Sequence, residues 1–222
     1  MSKKVTWSHS ALKDFEGCAR RYHEVKVLQK YPMQDTEQTR YGKQLHEAAE
    51  HYVKEGRELP PQFAFIKPTL DALLAKPGRK FAELEMALTE NLDPCAFNSP
   101  NRWVRGIADL VIIDDDNFTA RIVDYKTGND KYPDRDQLIL MSLMVFAHFP
   151  HIKRVQSALL FVVKNSMTKH EMTIEDVESA WWNYRERVAK LNAVYAADVW
   201  NPSRSPLCPW CPVTTCEYHP KH

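Results

Sequence analysis

Two aspartates and a lysine in apolar surroundings are the residues of this sequence best suited to chemistry. Asp109 stands in Gly106-Ile107-Ala108-Asp109-Leu110-Val111-Ile112-Ile113, and Asp124 and Lys126 stand in Arg121-Ile122-Val123-Asp124-Tyr125-Lys126-Thr127-Gly128. A carboxylate flanked by aliphatic residues is costly to desolvate alone, so it calls for a cation or a set of hydrogen-bond donors. In an extended strand alternate side chains share a face, which sets the Lys126 ammonium beside the Asp124 carboxylate. Such a trio suits phosphodiester hydrolysis. Carboxylates hold Mg²⁺ or Mn²⁺ in a hard oxygen shell, the ion polarises the phosphate, and the lysine orients or deprotonates the attacking water. The backbone carbonyl of Tyr125 is a further candidate ligand to the metal.

The elements that must carry these groups are legible from periodicity. Ser8 is placed to cap a helix predicted over residues 9–29, in which Leu12, Phe15, Ala19 and Tyr22 recur at helical spacing and Cys18 lies inside. A second helix is predicted over 36–55 on the stripe Leu45, Ala48, Ala49 and Tyr52, with His46 and Glu50 one turn apart beside it. The Pro- and Gly-rich residues 56–79 read as a loop around one short helix. Strand-like runs follow at 81–90, 103–113 and 118–126, the last two joined by a hairpin turn at Asp114–Asn117. A helix over 134–149, an apolar strand over 155–164, a short strand near Glu171 and a long amphipathic helix over 174–197 complete the pattern.

The tail contains Cys208-Pro209-Trp210-Cys211 and then Cys216, and Cys18 supplies a fourth thiol far upstream. Four thiolates around one centre suit a [4Fe-4S] cluster or tetrahedral Zn²⁺, and spacing alone does not separate them. His219 could replace a thiolate at zinc. Cys95 has no partner motif and reads as a loop thiol.

Thirty basic and twenty-nine acidic residues give a formal charge of +1, which excludes a polycation that coats nucleic acid indiscriminately. Basic residues concentrate locally, in Lys3, Lys4, Lys13, Arg20, Arg21, Lys26 and Lys30 and again in Arg102 and Arg105, where they could meet phosphates. Trp7, Trp103, Tyr132 and Trp210 are candidates to stack on unpaired bases. The opening residues lack the apolar stretch of a secretory signal, and no apolar run is long enough to span a bilayer. The expectation is a cytoplasmic protein without a disulfide framework.

In their order along the chain these motifs resemble the RecB-like branch of the PD-(D/E)xK nucleases. Gly106-x-x-Asp109 and Asp124-Tyr125-Lys126-Thr127-Gly128 are similar to its second and third motifs. Tyr41-Gly42-Lys43-Gln44-Leu45-His46 is similar to its helical Gly-x-x-x-His, and Trp7-Ser8-His9-Ser10-Ala11-Leu12 with Phe15 to Tyr22 is similar to its opening segment. The resemblance implies a restriction-endonuclease-like α/β fold, a central mixed β-sheet flanked by helices. It implies one nuclease domain over 1–222, with 1–30 and 201–222 joined by the four cysteines.

By the same resemblance His46, Asp109, Asp124 and Tyr125 hold the metal and Lys126 is the catalytic lysine. Glu85 is the acid of the first core strand, with Glu83 left as the alternative, and Gln137 belongs to a Gln-x-x-x-Tyr motif in which Met141 replaces the tyrosine. Arg20, Arg21, Tyr22 and Arg105 would contact DNA. The split of Cys18 from Cys208, Cys211 and Cys216 resembles the iron–sulfur clasp of AddB-type and CRISPR-associated exonucleases. The implied activity is a metal-dependent exonuclease on single-stranded or frayed DNA, working with replication or recombination proteins in a bacterial or phage-infected cell. A structure-selective endonuclease and a non-catalytic DNA-binding module are the rival readings.

Overall fold

The computed structural model describes residues 5–32 and 36–220, so Lys3 and Lys4 of the basic segment lie outside it. The chain forms two compact units, Asp35–Trp181 and Met1–Gln34 with Trp182–His222. No helix among the described residues is long and apolar enough to cross a membrane.

The larger unit is an α/β structure. Helix α3 (Glu37–Glu55) and helix α4 (Lys67–Leu74) precede β1 (Arg79–Leu88), β2 (Pro94–Cys95), β3 (Val104–Asp114) and β4 (Thr119–Lys126). Helix α5 (Arg135–His148), β5 (Arg154–Phe161) and β6 (Ser166–Thr173) follow. The strands form one mixed six-stranded sheet in the order β2-β1-β3-β4-β5-β6. Only β4 and β5 are parallel. That pair needs a crossover, which α5 provides.

Alternation along β4 assigns its side chains to two layers. Val123 and Tyr125 join a buried cluster with Leu45 and Ala49 of α3, Leu70 of α4, and Leu110, Ile112 and Leu160 of the sheet. Asp124 and Lys126 point the other way, toward α5. Helix α5 is buried from Leu140 to Phe146 as well as at Leu138, which packs on Leu159 and Phe161. A helix enclosed on most sides has no polar stripe, so its periodicity is weak in sequence. Met141 and Met144 of α5 lie over Gly106 of β3: a methyl group there would come within 2.5 Å of the Met141 terminal carbon. The tyrosine that Met141 replaces is thus a packing position in this chain.

The smaller unit carries α1 (His9–Gly17), α2 (Ala19–Tyr22), a π-helical turn over His23–Val27 and much of α6 (Val177–Ala197). The single helix expected over 9–29 is broken at Cys18, whose backbone is extended at φ −168°, ψ 110°. The reason is local. Cys18 ends α1 and caps α2 through its own sulfur, which accepts a hydrogen bond from the Arg21 amide at 3.5 Å. Trp7 stacks on Tyr184 with centroids 5.6 Å apart, and Arg187 forks onto Glu16 at 2.6 and 2.8 Å. Tyr22 is buried between Tyr195 and Trp200, its hydroxyl 3.2 Å from that of Tyr195.

Gly78 sets the start of β1 against the end of β3. Its φ is +112°, and an added Cβ would lie 2.3 Å from the Ile113 carbonyl oxygen. Gly78→Ala is expected to lower the unfolding free energy by about 2 kcal/mol or more, measured by denaturant unfolding. Unchanged stability would show that the β1–β3 register does not depend on this approach.

Candidate active site

Register brings the acids together. In the β1–β3 ladder Ala82 pairs with Leu110 and Leu84 with Ala108, so Glu83 stands opposite Asp109. In the β3–β4 ladder Leu110 pairs with Val123, so the next position sets Asp109 opposite Asp124. Glu83, Asp109 and Asp124 therefore occupy one row across three neighbouring strands. The β1–β3 ladder is interrupted at that row, and the β3–β4 ladder stops one position before it. Glu83 has φ +48°, a left-handed conformation that a non-glycine residue adopts at a cost, and it accompanies the gap in β1. At the end of the other ladder Asp109 accepts the Tyr125 amide hydrogen bond on Oδ2 at 2.6 Å.

Side chains from both helical layers close on the row. His46 of α3 places Nδ1 3.2 Å from Asp109 Oδ1 and 3.9 Å from Glu83 Oε1. One ligand atom from each of His46, Glu83 and Asp109 lies within 4.8 Å of the others. On the α5 side, Lys126 donates to Gln137 Oε1 at 2.9 Å, and the Gln137 amide donates to Asp124 Oδ1. The Lys126 ammonium forms an ion pair with the second oxygen of that buried carboxylate, Asp124 Oδ2, at 2.7 Å.

The electrostatics follow from crowding. Burial, and then the neighbouring Asp109 charge, push the Asp124 carboxyl up against the pull of Lys126. Burial opposes a charge on His46, yet its hydrogen bonds to Asp109 and Glu83 outweigh this and raise its pKa to about 10. The acids thus hold the imidazole as a cation. Three carboxylates, with the His46 imidazole once it has given up its proton, are a donor set that fits a hard divalent ion such as Mg²⁺ or Mn²⁺.

Not every residue expected at the site is there. Glu85 is exposed and pairs with Ile107, two positions from the acidic row, so Glu83 and not Glu85 supplies the acid of β1. Sequence left these two unresolved because the long connection before β3 hides the register. Tyr125 meets Asp109 through its amide. Tyr22 is 5% exposed in an aromatic cluster and cannot offer a face to DNA; Trp7 and Trp103 are likewise buried. Arg20 donates to the Thr215 carbonyl at 3.2 Å, Arg21 pairs with Asp14 at 3.0 Å, and Arg105 lies over the Phe97 ring.

In the smaller unit Cys18, Cys208, Cys211 and Cys216 line one cavity of about 410 Å³ together with His219. None is in a disulfide. Among the described residues His46, Glu83 and Asp109 are the only three such ligand atoms within 4.8 Å of one another, so the four thiols are more widely spread.

The chain shares its family and its fold with known proteins. Residues 6–216 match the PD-(D/E)XK nuclease superfamily, and the chain belongs to it. The crystal structure of an Eubacterium rectale protein provisionally assigned as an exonuclease is similar in fold, with TM-score 0.55 and 16% identity over 94% of this chain and 87% of that one. SSO0001 aligns at 12% identity and TM-score 0.46 over 100% of this chain and 89% of that one. No curated protein matches the chain in sequence.

Two outcomes check the site. Glu83→Ala should weaken Mn²⁺ binding by tenfold or more in calorimetry, while Glu85→Ala binds as the parent does; the opposite pattern would restore Glu85. In metal-free protein the His46 ring should titrate by NMR near 10. Because that folded value is raised, the stability His46 contributes is full below its ordinary pKa of about 6.5 and is lost as pH rises through the folded value. An unshifted His46 would mean that the carboxylates do not surround it.

Proposed function

We propose that the chain is a divalent-metal-dependent deoxyribonuclease acting as an exonuclease on single-stranded or frayed DNA ends. The observation that carries this is the row Glu83, Asp109 and Asp124 with Lys126 held at its end. His46, Glu83, Asp109 and Asp124 would hold Mg²⁺ or Mn²⁺, which when bound supplies a Lewis acid for the phosphate and an acidified water. Lys126, fixed by Gln137 and Asp124, orients the attacking water and neutralises charge that develops on the phosphate oxygens. Gln137 bridges the lysine and the aspartate and keeps the two at one distance. The superfamily membership supports hydrolysis of a nucleic acid, and the provisional assignment of the Eubacterium rectale protein supports the exonuclease mode. The family match runs through both units, in keeping with a single nuclease domain over 1–222.

For the cysteines we propose a [4Fe-4S] cluster held by Cys18, Cys208, Cys211 and Cys216, as in the AddB-type and CRISPR-associated branch. Four thiolates around one centre suit either this cluster or tetrahedral zinc, and colour and metal content separate the two. Such a centre would join two ends of the chain, so its binding energy becomes folding energy.

End-labelled linear and circular DNA, single- and double-stranded, digested with Mn²⁺ and with chelator, tests the activity. Linear single strands should be consumed and circles spared. Cleavage of circular single strands would establish the endonuclease, and binding without any cleavage would establish a non-catalytic module. Lys126→Ala and Asp124→Ala should each cut the rate at least about a hundredfold while DNA binding survives; full activity in either refutes the mechanism. Protein isolated without oxygen should be brown with a broad visible band, and Cys18→Ser should lose the colour and melt at lower temperature. A colourless parent with stoichiometric zinc would end the cluster reading.

A further inference from the structure

The loop between the lysine strand and the glutamine helix, residues 127–134, has its two flanking side chains tied to each other. Lys126 and Gln137 are hydrogen-bonded at 2.9 Å, and both also engage Asp124. The loop therefore leaves and rejoins the regular elements beside the Lys126, Gln137 and Asp124 network. It is also anchored along its length. Thr127 lies against Gly42 of α3, close enough that an added methyl group would be 3.3 Å from its hydroxyl. The Asn129 side chain accepts from the Lys131 amide at 2.8 Å, and the Asp130 carboxylate accepts from the Ser166 hydroxyl at 2.6 Å.

On this anchored loop Tyr132 is 84% exposed, more than any other large apolar side chain described. Among the described residues its ring meets the Lys131 ammonium, 5.4 Å from the centroid. The adjoining turn after β5 is bonded to the same strand end, Val162 donating to the Lys126 carbonyl at 3.0 Å. It brings half-exposed Val163 and exposed Lys164 alongside, and the Lys164 charge acts on Asp130. Arg135 and Lys43 are exposed on the helices that flank the loop. Acids are present too: Asp130 is engaged by Ser166 and Lys164, Asp136 lies in the first turn of α5, and Asp134 stands at the position before it. The local charge is therefore mixed, and the aromatic face is the distinctive feature of the rim.

We propose that Tyr132 stacks on an unpaired base of the strand whose phosphate lies at Asp109, Asp124 and Lys126, and so sets the preference for single-stranded DNA. The inference rests on the nuclease reading of that site. A base inside a duplex has both faces covered by its neighbours and shows only its edge, whereas an unpaired base has a free face for an aromatic ring of any sequence context. Lys131 and Lys164 would meet the flanking phosphates. A rigid loop with an exposed ring has little ordering left to lose when a base arrives.

Fluorescence anisotropy with a short labelled oligothymidylate and with a blunt duplex, both in chelator so that no cleavage intervenes, tests this on the full chain. Tyr132→Ala should weaken single-strand binding about tenfold, Tyr132→Phe should keep it, and duplex binding should move in neither. Equal single-strand affinity of parent and Tyr132→Ala overturns the proposal, as does an equal loss on duplex or loss in the phenylalanine variant. Parallel digestion with Mn²⁺ separates the two levels. A protein that cuts DNA but binds single strands without regard to Tyr132 refutes the stacking alone. One that binds through Tyr132 yet cuts nothing refutes the nuclease and leaves the stacking.

Discussion

Carboxylates that face one another in a buried row repel, and the row of Glu83, Asp109 and Asp124 is the constraint around which the larger unit is built. Three answers to that repulsion are visible. His46 is held as a cation, Lys126 is pulled onto Asp124, and the Tyr125 amide is diverted from the ladder to Asp109. These answers come from α3 and β4, and Gln137 of α5 braces Lys126 and Asp124, so the acids fix how α3, β4 and α5 meet. A folded chain that kept this arrangement only for stability would do better with aliphatic residues in the same places. Its retention is the mark of a site prepared for a cation.

The backbone departs from regularity at the same place. Glu83 takes a left-handed conformation within a strand, the β1–β3 ladder skips the Glu83–Asp109 position, and the β3–β4 ladder ends at Leu110. Strain of this kind persists where the surroundings over-determine it. Here the surroundings are the ten-residue strand β1 with its Gly78 start and the apolar layers on each side of β4. Hydrophobic burial on the two faces thus offsets the cost of an exceptional row across β1, β3 and β4.

Much of this was legible in the amino-acid sequence because it depends on short-range patterns. Asp109, Asp124 and Lys126 were marked by polarity in apolar strands, and a tight turn forced the two strands to pair. His46 was marked by its motif beside the Leu45 and Ala49 stripe. What escaped depends on separations that sequence does not encode locally. The identity of Glu83 rests on a register set across the connection from β2 to β3. The break at Cys18 rests on a cap made by the cysteine's own sulfur. Tyr22 belongs to the helical stripe with Leu12 and Phe15 and was also a candidate DNA contact beside Arg20 and Arg21, and its ring is enclosed by Tyr195 and Trp200.

Everything proposed for the larger unit depends on a divalent ion lodging among the strand acids. Anomalous diffraction at the manganese edge, from crystals soaked in MnCl₂, examines that most directly. The expected result is a peak in contact with His46 and Asp109 and bordered by Glu83 or Asp124. A clean difference map there at saturating manganese, with the metal found only elsewhere on the surface, would contradict it.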